Sequence, residues 1–168
     1  MQYQSEHRGS DHGSSKSTTR CKQHAETISG SSKLAETKCT ERHNNVASTV
    51  YRAICAEYNF EHSKDWWVEL EKVVRNDHAK ILWDFPIQTG KYLLHNWPDI
   101  VLTNYNEQTG LIIDISVPRD DKIQDKKLEK IDKYQSLKVQ LEQLWKVRVM
   151  VIPVIVGALG AIADRLPG

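Results

Sequence analysis

The sequence predicts an α/β protein, a mixed central β-sheet with helices on both sides, behind a disordered N-terminal tail. Three observations lead there. Element signals run in the order α, β, β, β, α, β, α. Two short apolar runs, at 100–102 and 111–117, flank a polar, glycine-ended connection of hairpin length at 104–110, so their strands should be antiparallel neighbours. An amphipathic helix then leads into the almost continuously apolar VRVMVIPVIV at 147–156, which implies a βαβ unit with a right-handed crossover.

Each element has its own warrant. Residues 1 to about 38 are rich in Ser, Thr, Gly, His and charge, with almost no aliphatic side chains. Such a segment buries too little surface to offset ordering entropy, so a disordered tail is expected over 1–41. A helix is expected over 45–58, where Val46, Val50, Ile54 and Tyr58 recur every four residues beside Ala47 and Tyr51, with Asn45 as cap. Residues 59–78, with Trp66, Trp67, Val68, Leu70, Val73 and Val74, read as a short element or a packed loop. KILWDFPI at 80–87 reads as a strand whose Pro86 marks a sheet edge or bulge. The two hairpin strands follow, at 99–104 and 111–117. One long helix is expected over 121–146, with Leu128, Ile131, Tyr134, Leu137, Leu141 and Leu144 as its apolar stripe. The β-branched run 147–156 should be a buried central strand, and a short helix should occupy 158–166.

The 168 residues suit one domain of ordinary size, expected over 42–168. Lys and Arg total 23 against 22 acids, a net charge of +1, so any affinity for nucleic acid must come from local patches. No apolar run reaches the roughly 18 residues of a membrane span, and the first twenty residues lack the apolar core of a secretory signal. Cys21, Cys39 and Cys55 form no disulfide framework, which suits a reducing, intracellular compartment.

The chemistry concentrates in HNWPDIVLTNYNEQTGLIIDISVP at 95–118. Asp99 follows Pro98 at the mouth of the first apolar run, and Asp114 sits among Ile112, Ile113 and Ile115. A carboxylate among isoleucines is costly to desolvate unless it is paired or bound to a metal. At facing positions of a hairpin the two carboxylates can converge. Two carboxylates with a backbone carbonyl are an oxygen set for Mg²⁺, which keeps waters and takes substrate phosphates as further ligands. Helical geometry turns Lys130 into the arc of Ile131, Tyr134, Leu137 and Leu141, with Lys133 at its edge. Either lysine alone, or either aspartate alone, has an ordinary reading as a solvated helix face or a turn residue. The combination points to a site.

HNWPDIV, LIIDISVP, LEKIDKYQSL and LWKVRVMVIPVIVGALG together resemble the restriction-like endonuclease at the C-terminus of non-LTR retrotransposon reverse transcriptase polyproteins, of the PD-(D/E)xK class. The resemblance covers about 42–160. It implies a restriction-endonuclease-like fold and a metal-dependent DNA endonuclease that nicks target DNA to prime reverse transcription. Asp99 and Asp114 would hold Mg²⁺, with Mn²⁺ as a substitute. Lys130 and Lys133, ahead of Tyr134, would be the catalytic lysines displaced onto the helix, consistent with Ser116 rather than a lysine two residues after Asp114. His95 and Asn96 match the lead-in to Pro-Asp and, with Trp97 and Tyr134, are candidate DNA contacts. Trp97 stands where the family is usually basic. The implied partners are DNA and, through a missing polyprotein portion, element RNA, with no membrane. The implied location is nuclear. No polymerase motif appears, and the chain reads as a C-terminally truncated piece of a larger polyprotein. The alternative is a catalytically inactive or repurposed fragment that keeps the fold and at most binds DNA.

The family also carries a zinc knuckle ahead of the nuclease. Here CKQHAETISGSSKLAETKCTERH leaves Cys21, His24, Cys39 and His43 as C-x2-H and C-x3-H pairs. These are a candidate zinc set, weighed against a degenerate knuckle in a plain tail. The lysines Lys122, Lys126, Lys127 and Lys138 are interleaved with acids, which makes a solvated face their default.

Overall fold

The computed structural model describes residues 33–157 except 62, 64, 66 and 67, with side chains from residue 37 onward, that of Asp120 excepted. Among the described residues it is an α/β structure with a five-stranded mixed sheet and three helices. Two compact units divide the chain, Met1–Glu41 and Arg42–Gly168. The second holds the sheet.

Helix α1 spans Lys33–Glu57, twelve residues earlier at its start than the apolar periodicity indicates. The tail expected over 1–41 is therefore helical from Lys33. Lys33, Leu34, Ala35, Glu36 and Lys38 are all strong helix formers, so propensity extends the helix where no apolar face exists to announce it. Within the second unit, the deepest line of α1 is Ala47, Tyr51 and Cys55, one residue round from the expected Val46, Val50, Ile54 stripe, which packs beside it. Two residues past the end of the helix, Asn59 takes a φ of 53°, which lets the Phe60 N–H reach back to the Cys55 carbonyl at 2.9 Å.

The uncertain segment before residue 79 contains a strand, β1, Val73–Arg75, hairpinned to β2, Ala79–Trp83. The Asn76 side-chain oxygen closes that turn by accepting from the His78 and Ala79 amides at 2.9 and 2.8 Å. β2 stops short of the expected residue 87. Asp84 takes a positive φ of 42° and turns the chain out of the sheet before Phe85. Ile81 and Leu82 are both buried, because both faces of the sheet are covered.

β3, Ile100–Asn104, and β4, Thr109–Ser116, form the expected antiparallel hairpin, with Ile100 opposite Ile113 and Asn104 opposite Thr109. After β4 a 3₁₀ turn, Asp120–Lys122, precedes α2, Ile123–Lys133, and α3, Gln135–Trp145. The expected single helix is broken at Tyr134, whose ψ of 7° departs from helical values. No Gly or Pro marks that position. The inward line also differs: Lys130, Tyr134, Leu137 and Leu141 are buried, while Leu128 is 67% exposed and Leu144 is 50% exposed.

β5, Arg148–Ile155, pairs in parallel with β4 from Thr109 opposite Arg148 to Ser116 opposite Ile155. This gives the βαβ unit. The strand order is β1-β2-β3-β4-β5, so among the described residues β5 is an edge strand and β3 the central one. In β5, Val149 and Val151 lie in the core with Tyr134, Leu137 and Leu141, and Ile152 and Val154 pack against the core with the α1 line, while Met150 is exposed. Pro153 has no N–H to offer a further strand, which an edge position tolerates. The helix expected over 158–166 lies outside the described residues.

Alternate residues of the sheet divide between two cores. Ile100, Leu102, Ile113 and Ile115 pack with the α1 line, and Val101, Ile112, Val149 and Val151 pack with Tyr134, Leu137 and Leu141. Asp114 has the parity of Ile112, so its side chain is sent toward α2.

Candidate active site

Asp114 is completely buried. Its Oδ2 lies 2.5 Å from Lys130 Nζ, and its Oδ1 accepts a 2.6 Å hydrogen bond from the Tyr134 hydroxyl. Lys130 and Tyr134 are four residues apart, hence on one face across the helix break, and both reach the same carboxylate. The carboxylate among isoleucines thus has the counter-charge that its burial demands. Tyr134 also ties the site to the preceding loop, with its hydroxyl 3.3 Å from the Trp97 carbonyl oxygen.

Asp99 lies one residue before β3, so by continuation of the register it stands opposite Asp114. Its carboxylate turns into the plane of the sheet. Oδ2 accepts from the Ile115 amide at 2.6 Å, at the peptide bond that leaves Asp114. The same oxygen lies 3.3 Å from His43 Nε2 on α1. Asp99 therefore takes the β3–β4 splay and the α1 side, and Asp114 takes the α2 side. Both occupy one end of the hairpin. The Asp99 main chain is held from the other direction, its carbonyl accepting from the Asp84 amide at 2.7 Å.

A second cluster supports this one. Asp84 accepts from the Trp97 indole N–H at 2.7 Å on Oδ1, and Lys72 lies 2.8 Å from Oδ2. Trp97, Pro98 and Asp99 are consecutive, so the strained turn at Asp84 grips the chain on both sides of Pro98. The Asp84 partnership was not legible in sequence, because Asp84 read there as a residue of a strand.

The other expected residues fall as follows. Lys133 lies over the Tyr134 ring, 4.8 Å from its centroid, and it is Lys130 that reaches Asp114. Asn96 closes a loop with Ile87, its side-chain N–H donating to the Ile87 carbonyl at 3.2 Å. His95 is exposed. Cys39 and His43 are both in α1, while Cys21 and His24 lie outside the described residues. His43, a member of the candidate zinc set, has its Nε2 3.3 Å from Asp99 Oδ2. Its role could have been suspected only from knowing that α1 covers the Asp99 end of the sheet.

Among the described residues no group of three or more His, Cys, Asp and Glu side chains is placed to hold a metal. The sequence leads one to expect two convergent carboxylates; instead Asp99 and Asp114 meet at the peptide bond between residues 114 and 115 and turn to different helices, because His43 and the Ile115 amide hold one and Lys130 and Tyr134 the other. No helix of the described residues is long and apolar enough to cross a membrane.

Comparison of the chain with protein-family models, curated proteins and solved structures returned no significant match.

Proposed function

We propose that this chain is a metal-dependent DNA endonuclease of the restriction-like PD-(D/E)xK class, serving a non-LTR retrotransposon by nicking target DNA for primed reverse transcription. The observation that carries the reading is the buried Asp114–Lys130 pair at the end of the β3–β4 hairpin where Asp99 bonds the next amide, that of Ile115. The order α, four antiparallel strands, two helices, parallel strand accords with that class.

Asp99 and Asp114 would hold Mg²⁺, which supplies a lowered pKa for a bound water and charge stabilisation at a scissile phosphate. Lys130 pairs with Asp114 and brings its ammonium to the site, where a phosphodiester's developing negative charge would be met. Tyr134 fixes the other oxygen of Asp114, so the carboxylate cannot rotate away. His43 fixes Asp99 in the same manner from α1. Of the two lysines, Lys130 is the catalytic one in this reading.

The decisive experiment is nicking of supercoiled plasmid with and without Mg²⁺, by wild type and Asp114→Asn. Mg²⁺-dependent nicking lost in the variant supports the assignment. Nicking retained in the variant overturns the site.

One observation favours a second reading, an inactive fragment that keeps the fold and at most binds DNA. Both oxygens of Asp114 are already engaged, by Tyr134 and Lys130, which would also be expected of a purely structural buried pair. DNA binding by wild type without nicking selects this reading.

A further inference from the structure

We propose that the loop at residues 88–95 is a nucleic-acid contact in which Tyr92 stacks on an unpaired base beside Asp99 and Asp114. This inference rests on the nucleic-acid reading above and adds to it a specific element and a preferred substrate form.

Tyr92 is 90% exposed and Leu94 is 75% exposed, the two most exposed large apolar side chains among the described residues. Between them Leu93 turns inward and packs against the core that contains Ile87, Val101 and Tyr134. Alternation around an anchored Leu93 presents Tyr92 and Leu94 outward together. The base of the loop is closed by the Ile87 amide donating to the Asn96 carbonyl at 2.8 Å and by the Asn96 side chain donating back to Ile87. Within it the Thr89 hydroxyl donates to the Lys91 carbonyl at 2.6 Å. A ring held out on a closed, anchored loop loses little conformational freedom on stacking.

Position and charge select the occupant. The loop runs from the end of β2 directly into Trp97, Pro98 and Asp99, so it lies at the same end of the sheet as the site. Residues 88–97, QTGKYLLHNW, contain Lys91 and His95 and no acid, in a chain that has 22 acids in its 168 residues. A cation beside an exposed aromatic matches a phosphate beside a base face, and base stacking on aromatics is the common means of gripping unpaired strands. A paired base offers no free face, so the preferred form is single-stranded or locally unpaired DNA.

The test is binding of three DNA probes: a single-stranded oligonucleotide, a fully paired duplex, and that duplex with one bulged 2-aminopurine. Wild type, Tyr92→Ala and Tyr92→Phe are compared. Wild type should prefer the bulged and single-stranded probes and change the 2-aminopurine emission. Tyr92→Ala should weaken binding to those probes on the order of tenfold and abolish the emission change. Tyr92→Phe should retain both. Wild-type binding with Tyr92→Ala unchanged overturns this inference alone. Failure of wild type to bind any probe overturns it together with the nuclease reading. Self-association of wild type that Tyr92→Ala abolishes, without any effect on DNA binding, assigns the loop to a second copy of the chain and also overturns it.

Discussion

Lys130 Nζ stands 2.5 Å from Asp114 Oδ2 with both side chains withdrawn from solvent, 10% and 0% exposed. A pair at this depth gains little net stability over apolar residues of the same size, but breaking it leaves a buried charge uncompensated. Lys130→Met should therefore destabilise the fold by about 3–5 kcal/mol, and Asp114→Leu combined with Lys130→Met should recover most of that loss. Urea denaturation of the three variants measures the cycle. A loss in the double variant equal to the sum of the two single losses would show that Asp114 and Lys130 are energetically independent.

On the nuclease reading proposed above, the same contact sets the two lysines apart. Lys133→Ala leaves Asp114 with its ion pair and should reduce plasmid nicking only slightly. Lys130→Gln removes the charge at the site and should abolish nicking in a protein whose circular dichroism remains folded. The reverse ranking would move the catalytic role to Lys133.

Tyr134→Phe removes one hydroxyl and keeps the ring that fills the break between α2 and α3. Asp114 then loses its Oδ1 partner in a dry environment. A hydrogen bond to a charged group contributes about 1.5–3 kcal/mol, and the denaturation midpoint should fall by the corresponding amount at unchanged slope.

Alkaline pH should unfold the protein through α1. Burial pushes the Cys55 thiol above its usual range, with the Tyr51 hydrogen bond and Arg52 opposing. Burial, reinforced by Cys55, likewise pushes the Tyr51 phenol upward. The unfolded chain then gives up these protons first. Their contribution is complete below the ordinary thiol pKa, roughly 8.5, and is lost as pH rises through the folded values. The loss is about 1.4 kcal/mol per pH unit per group. Cys55→Ala should flatten the stability profile between roughly pH 8.5 and 10, despite lower stability at pH 7. An unchanged slope would mean that the thiol titrates alike in both states.

Lys146 closes α3 in the left-handed region, at φ 56° and ψ 37°. A side chain there costs roughly 1 kcal/mol that glycine does not incur. Lys146→Gly should raise stability by about that amount in thermal or urea denaturation, with no effect on the site.

Much of the hairpin and its helix was legible because the signals are local. The turn chemistry between residues 104 and 110 and the alternation in the flanking runs specify β3 and β4. The spacing of Lys130 to Tyr134, Leu137 and Leu141 gave the inward arc of the helix, including the buried lysine. The errors share a cause. Leu128 and Leu144 have the right spacing but lie at the margin of a face whose width depends on what it meets. Asp84 and Tyr134 break a strand and a helix without Gly or Pro, because each is held by a distant partner, Trp97 and Asp114. The edge position of β5 could not be read from its composition, since cover on two faces produces the same apolar run at an edge as at the centre.

By itself the sequence determined that Asp99 and Asp114 sit at one end of two paired strands and that a lysine turns inward on the following helix, because periodicity and turn geometry act over a few residues. Only the tertiary structure decided which partner each group meets. It sends Asp114 to Lys130 and Tyr134, turns Asp99 into the sheet plane toward the Ile115 amide, and brings His43 to Asp99 from a helix 56 residues away in the chain. A buried charge must be matched by whatever the packing of layers brings within reach, and that packing is a property of the whole chain.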